Sequence, residues 1–208
     1  MGGMSSHVMW KQRLGPAAES TLAKALAAQR CTAYELASQQ WEAKSATIGG
    51  VRHYMTSFLA PASAAWSSLR LHLNSLIGEP LAAELSRLTG GPAIVFLEYD
   101  EAAWGYSLFS GGLLLDRFWS IPAVAEMSPE ACAGNIAAVS AAFGVPPRSV
   151  APYIRHLTEV DYEQKAFEDD EFPLGDHWVR VDFMRRLGLT YPSPGKVAGG
   201  RYIRIKEP

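Results

Sequence analysis

The sequence predicts an α+β fold: a central, mainly antiparallel sheet with an aromatic meander, packed by N-terminal, middle and C-terminal helices. Three observations predict it. Residues 94–99, 104–109 and 113–118 are β-type runs separated by a segment that opens with Asp100-Glu101 and by Ser110-Gly111-Gly112, connections short enough for hairpins. Segments of helical periodicity stand before and after this meander. Finally, 208 residues with 48% hydrophobic and 19% charged side chains supply a core that needs no disulfide or metal staple.

From the start of the chain, residues 1–14 show no basic and apolar secretion signal and read as a flexible or weakly docked arm, which leaves 15–208 as one α+β domain. Pro16 suits a first helical turn, and Leu22, Ala25, Leu26 and Gln29 follow at three- and four-residue spacing, predicting a helix over 16–29. Residues 31–36 and 51–59 carry β-type side chains. Over 66–73, Leu69, Leu71 and Leu73 alternate with Ser68, Arg70 and His72 as in a half-buried strand, although Leu69, Leu73 and Leu76 also fit a helix face. Leu81, Leu85 and Leu88 predict a helix over 79–89, stopped by Gly90-Gly91 and barred from continuing by Pro92. Because residues 94–97 are apolar without a break, the first strand of the meander is expected to be central and covered on both faces.

Beyond the meander, Ser128, Pro129 and Glu130 have the order of an N-cap, a first-turn proline and an acidic residue, predicting a helix that runs through Phe143 to a stop at Gly144. A second helix is expected from near Arg148, with Val150, Tyr153, Ile154 and Leu157 on one face. The acidic stretch 161–171 reads as a loop or a solvated helix start. Asp176 caps a last helix whose buried stripe is Trp178, Val181, Met184 and Leu187, with Arg180, Asp182, Arg185 and Arg186 on its other side. Residues 201–206 alternate Tyr202 and Arg204 against Ile203 and Ile205, a closing strand at an edge or joining the sheet.

A net charge of −2 with scattered basic residues gives no positive field for nucleic acid, and no window reaches the roughly 18 apolar residues of a membrane span. A cytoplasmic protein without cofactor or metal is expected. Cys31 and Cys132 lie a hundred residues apart, which makes no disulfide framework and no cysteine metal site, while one long-range disulfide stays open. Neither a phosphate loop nor a glycine-flanked nucleophilic serine is present, so no catalytic residue is assigned.

The candidate ligand or partner site is the hairpin group Tyr99, Asp100, Trp104, Tyr106, Asp116, Arg117 and Trp119, an aromatic wall beside carboxylates suited to a cationic or planar group. The plainer reading is that the aromatics pack the sheet, Asp100 and Glu101 make the turn, and Asp116 pairs with Arg117 or another cation. His53 and His72 join the candidate site if adjacent strands bring them together, although no histidine pair has the spacing of a metal site.

The run FLEYDEAAWGYSLFSGGLLLDRFWS, from Phe96 onward, resembles a segment of uncharacterised bacterial α+β proteins, in which an acidic tyrosine turn precedes an aromatic strand and a Gly-x-x-x-Asp-Arg-Phe-like strand. Residues 167–189 and 200–203 are similar to the closing pattern of the same proteins, and residues 39–65 depart from it as an insertion. The resemblance covers about half the chain; it implies the order of elements and carries no activity and no site. Two functions follow as expectations. The first is a non-enzymatic protein-interaction or regulatory, immunity-like module in a bacterial cell, with a protein partner or a homodimer. The alternative is a small-molecule-binding protein or enzyme with a pocket beside the aromatic hairpin.

Overall fold

The computed structural model describes residues 4–35, 45–48, 51–54, 56–71, 75–193 and 198–207. Among the described residues ten strands are formed: β1 (Met4–Trp10), β2 (Thr32–Glu35), β3 (Ser45–Ile48), β4 (Val51–Tyr54), β5 (Thr56–Pro61), β6 (Ser67–Arg70), β7 (Pro92–Tyr99), β8 (Ala103–Ser110), β9 (Leu113–Trp119) and β10 (Arg201–Lys206). The helices are α1 (Pro16–Ala28), α2 (Gly78–Thr89), α3 (Ile136–Phe143) and α4 (Val179–Arg186). Eight strands make one sheet in the order β2-β10-β5-β6-β1-β7-β8-β9, every neighbouring pair antiparallel, while β3 and β4 form a separate hairpin. The fold is therefore α+β, and β10 joins β2 to β5.

Both faces of the sheet are covered. Ala93, Val95 and Leu97 of β7, with Val8 and Trp10 of β1, pack against Leu22 and Leu26 of α1 and Leu81 and Leu85 of α2. The intervening Ile94 and Phe96, with Met9, Trp104 and Phe118, pack against Val139 of α3, Tyr153, and Phe183 and Met184 of α4. Successive strand residues point to opposite faces, so an unbroken apolar run is what a doubly covered strand requires.

The expected loose arm is corrected. Met4–Trp10 is β1, paired with β6 on one side and β7 on the other, and Val8, Met9 and Trp10 are fully buried. Ser5, Ser6 and His7 made this segment look solvated in sequence, yet Ser6 and His7 are buried as well.

The helix expected from Ser128 is split. Ser128 does cap, accepting the Ala131 N–H, but over a 3-10 turn, Pro129–Cys132, and α3 begins later under its own cap, Asn135. Between them the backbone is drawn to the edge of the sheet: Ala133 bridges Phe118, and the Gly134 N–H donates to the Arg117 carbonyl at 3.0 Å with Gly134 at φ 78. That left-handed turn suits glycine and ends the preceding turn. Residues 147–157 give a short 3-10 turn, Pro147–Ser149, and then turns in place of the expected second helix, although Val150, Tyr153 and Ile154 are buried.

On α4, Arg180 and Asp182 are buried, contrary to their expected outer position. Arg180 reaches Glu98 of β7 at 2.5 Å, and Asp182 accepts the N–H groups of Glu171 and Phe172 at 2.9 Å each. The acidic run is likewise tied down. Asp170 is buried, accepts from the Tyr153 hydroxyl at 2.7 Å and pairs with Arg186 at 2.7 Å, and burial leads in pushing the Tyr153 phenol upward.

Candidate functional site

A cleft of about 550 Å³ opens on the α2 face of the meander, at the end of the sheet where β1 begins and β7 and β9 finish, beside the start of α2. Its apolar wall is built from Leu97, Trp119, Val124 and Met127, with Tyr99 and the exposed Leu76 at its rim. Local sequence explains the wall. Gly105 lies between Leu97 on β7 and Trp119 on β9, and a Cβ there would stand 2.7 Å from the Trp119 ring and 2.4 Å from the Phe118 carbonyl oxygen. Only a residue without a side chain lets the indole lie over β8.

The polar part of the cleft is a wired triangle. Arg117 Nη2 meets Glu79 Oε1 at 2.8 Å, Arg117 Nε donates to Ser107 Oγ at 3.1 Å, and the Ser107 hydroxyl donates to Glu79. Deeper in the wall, Ser6 is 3% exposed, and its Oγ has no hydrogen-bond partner among the described residues. It stands beside Gly78, where an added Cβ would come within 3.0 Å of that oxygen. The first turn of α2 has Ile77 at its N-cap position and no side-chain cap.

Strand alternation divides the candidates predicted from sequence. Tyr99, Arg117 and Trp119 share the cleft. Trp104 and Tyr106 lie on the opposite face, buried against Phe118 and Phe183. There Asp116 accepts from the Tyr106 hydroxyl at 2.7 Å and from the Asn135 N–H at 2.9 Å, so it holds the start of α3 to the sheet; the expected ion pair with Arg117 is replaced by a bond from the Arg117 backbone N–H at 2.8 Å. Burial, followed by the Asp116 charge, pushes the Tyr106 phenol far above its ordinary range. Asp100 occupies the exposed turn with φ 50, beside Glu101 with φ 58. His53 falls on β4, but its side chain and all of His72 lie outside the described residues.

A second polar cluster, also unread in the sequence, surrounds His7 on the α4 face. His7 is 5% exposed, and neither ring nitrogen meets a hydrogen-bond partner among the described residues. Its ring stands edge-on to Tyr191 at 5.5 Å, and the guanidinium carbons of Arg70 and Arg180 lie 6.0 and 5.9 Å from the same tyrosine ring. Burial, then the charges of Arg70 and Arg180, hold the imidazole well below its ordinary pKa. Both clusters depend on β1 being a strand, which is why a reading that left residues 1–14 loose missed Ser6 and His7; the three consecutive apolar residues Val8, Met9 and Trp10 were the available signal that this segment is buried.

Cys31 and Cys132 are free and buried, and burial raises both thiols above their ordinary pKa. Among the described residues, no group of three or more His, Cys, Asp or Glu is placed to hold a metal ion, and no helix is long and apolar enough to cross a membrane. No family model, curated protein or solved structure matches the chain.

Proposed function

We propose that the protein binds a small molecule in the cleft beside the aromatic hairpin. The observation that carries this reading is the cleft itself: about 550 Å³, apolar on Leu97, Trp119 and Met127 and polar at a few fixed points. Ligand pockets are of this size, roughly 300–1,000 Å³, and of this composition. Titration with the fluorescent apolar probe 1-anilinonaphthalene-8-sulfonate tests it. Saturable binding is expected, and Ala125→Trp, which adds an indole at the cleft wall, is expected to abolish it. An unchanged titration curve for the variant removes the reading.

The second reading is a protein-interaction or regulatory, immunity-like module. What favours it is β9, the last strand of the sheet, whose Leu113, Leu114 and Leu115 are 73%, 46% and 49% exposed. Trp104 and Tyr106 take no part in such a surface because they are buried. If Leu113→Lys and Leu115→Lys leave capture of a host protein intact while the fold survives, this surface is not the interface.

A further inference from the structure

Resting on the ligand-binding reading, we infer that the cleft takes an apolar monocarboxylate, its carboxylate at the junction of Ser6 with the first turn of α2 and its apolar body along Leu97, Trp119 and Met127. Three observations converge on one end of the cleft. The α2 helix is 12 residues long and starts at Gly78 without a side-chain cap; Pro80 carries no N–H, so the Gly78 and Glu79 amides and the positive end of the dipole are what this terminus offers a negative charge. Independently, the Ser6 hydroxyl is buried, has no partner among the described residues and lines this cleft. A buried hydroxyl without a partner is costly, and a carboxylate oxygen accepting from it removes that cost. Gly78, lacking a Cβ, lets the first turn of α2 pack directly beside this hydroxyl, where an added Cβ would stand 3.0 Å from it.

The charges set the valence of the head group. Glu79 stands in the first turn of α2, where it would repel an anion, but its charge is offset by Arg117 at 2.8 Å. Glu126 is the remaining carboxylate of the lining and is exposed to water at the rim, where its field is screened. One helix terminus and one hydroxyl therefore suit a single negative charge, and they are too few for a phosphate dianion. The opposite end supplies a ring and aliphatic side chains, which suit an acyl chain or an aromatic body.

Quenching of tryptophan fluorescence on titration with decanoate, decan-1-ol and decyl phosphate tests the inference, because Trp119 lies in the wall of the cleft. The three probes share one body and differ in head group. Decanoate is expected to bind about tenfold or more tightly than decan-1-ol, and also more tightly than decyl phosphate, as a hydrogen bond to a charged acceptor implies. Ser6→Ala should remove most of the advantage over the alcohol while leaving alcohol binding unchanged; because it deletes an unpartnered hydroxyl, a melting curve at least as high as that of the parent is expected. If decan-1-ol or decyl phosphate binds as tightly as decanoate, or if Ser6→Ala leaves the decanoate advantage intact, the carboxylate assignment is wrong although the cleft still binds. If none of the three binds, the ligand-binding reading falls with it.

Discussion

The two faces of the meander are built from alternate residues of the same strands, and both are covered, yet one is sealed throughout while the other opens into a cleft at one end. On the sealed face Phe96, Trp104, Tyr106 and Tyr153 surround Phe183, with ring centroids 5.4–6.2 Å from it, and the one hydroxyl among the strand aromatics is spent on Asp116. On the open face, Leu97, Gly105 and Trp119 form the corresponding row, and the absence of a side chain at Gly105 lets Trp119 become the wall of a cleft. The contrast teaches that aromatic content alone does not mark a binding site. What separates the two faces is whether the covering elements close over the strands to their ends or leave a gap there.

Substitutions on the sealed face should therefore cost stability, and those on the open face should cost binding. The largest effect is expected for Phe183→Ala, which empties the centre of the aromatic cluster; urea denaturation should show a loss of about 3–5 kcal/mol. Tyr106→Phe keeps the ring but deprives Asp116 of one of its donors, for an expected loss of about 1–2 kcal/mol in the same assay, with ligand titrations unaltered.

His7 is a polar exception on the sealed face. A single cross-strand row runs Tyr202, Phe58, Arg70, His7, Phe96, Tyr106, Phe118, and at His7 it places an imidazole without a partner among the described residues. His7→Phe continues the aromatic row and removes a buried unsatisfied group, so a gain of about 1 kcal/mol is expected. The pH dependence has a definite sign. The folded-state pKa lies below the ordinary 6.5, so as pH falls through 6.5 the unfolded chain takes up a proton that the native chain refuses, and stability drops until the lowered native value is reached. Denaturation midpoints measured from pH 7.5 to 5 should fall less steeply for His7→Phe than for the parent.

The smallest effect belongs to the open face. Glu79→Gln breaks a pair whose side chains are 37% and 26% exposed, for about 0–1 kcal/mol of stability. A large stability loss here, or none at Phe183, would reverse the comparison.

Much of this fold was legible because local signals agreed with it. The meander was visible in its turn residues, α2 in its leucine stripe and Gly90 stop, and the double coverage of β7 in four consecutive apolar residues. What could not be read depended on long-range partners. Asp170 and Arg180 look solvated until Tyr153, Arg186 and Glu98 are brought to them, and β1 looks like an arm until β6 and β7 flank it. The candidate site was legible in part. Tyr99, Arg117 and Trp119 belong to the cleft, whereas Ser6 and Gly78 entered it through contacts 72 residues apart in sequence that no local pattern announces.

The indole N–H resonances of Trp104 and Trp119, followed by nitrogen-15 NMR during titration with decanoate, test the central claim most directly, since the two rings lie on opposite faces of one hairpin. The account predicts a saturable shift of the Trp119 signal with Trp104 unmoved. A stationary Trp119 signal, or a shift at Trp104 alone, would contradict it.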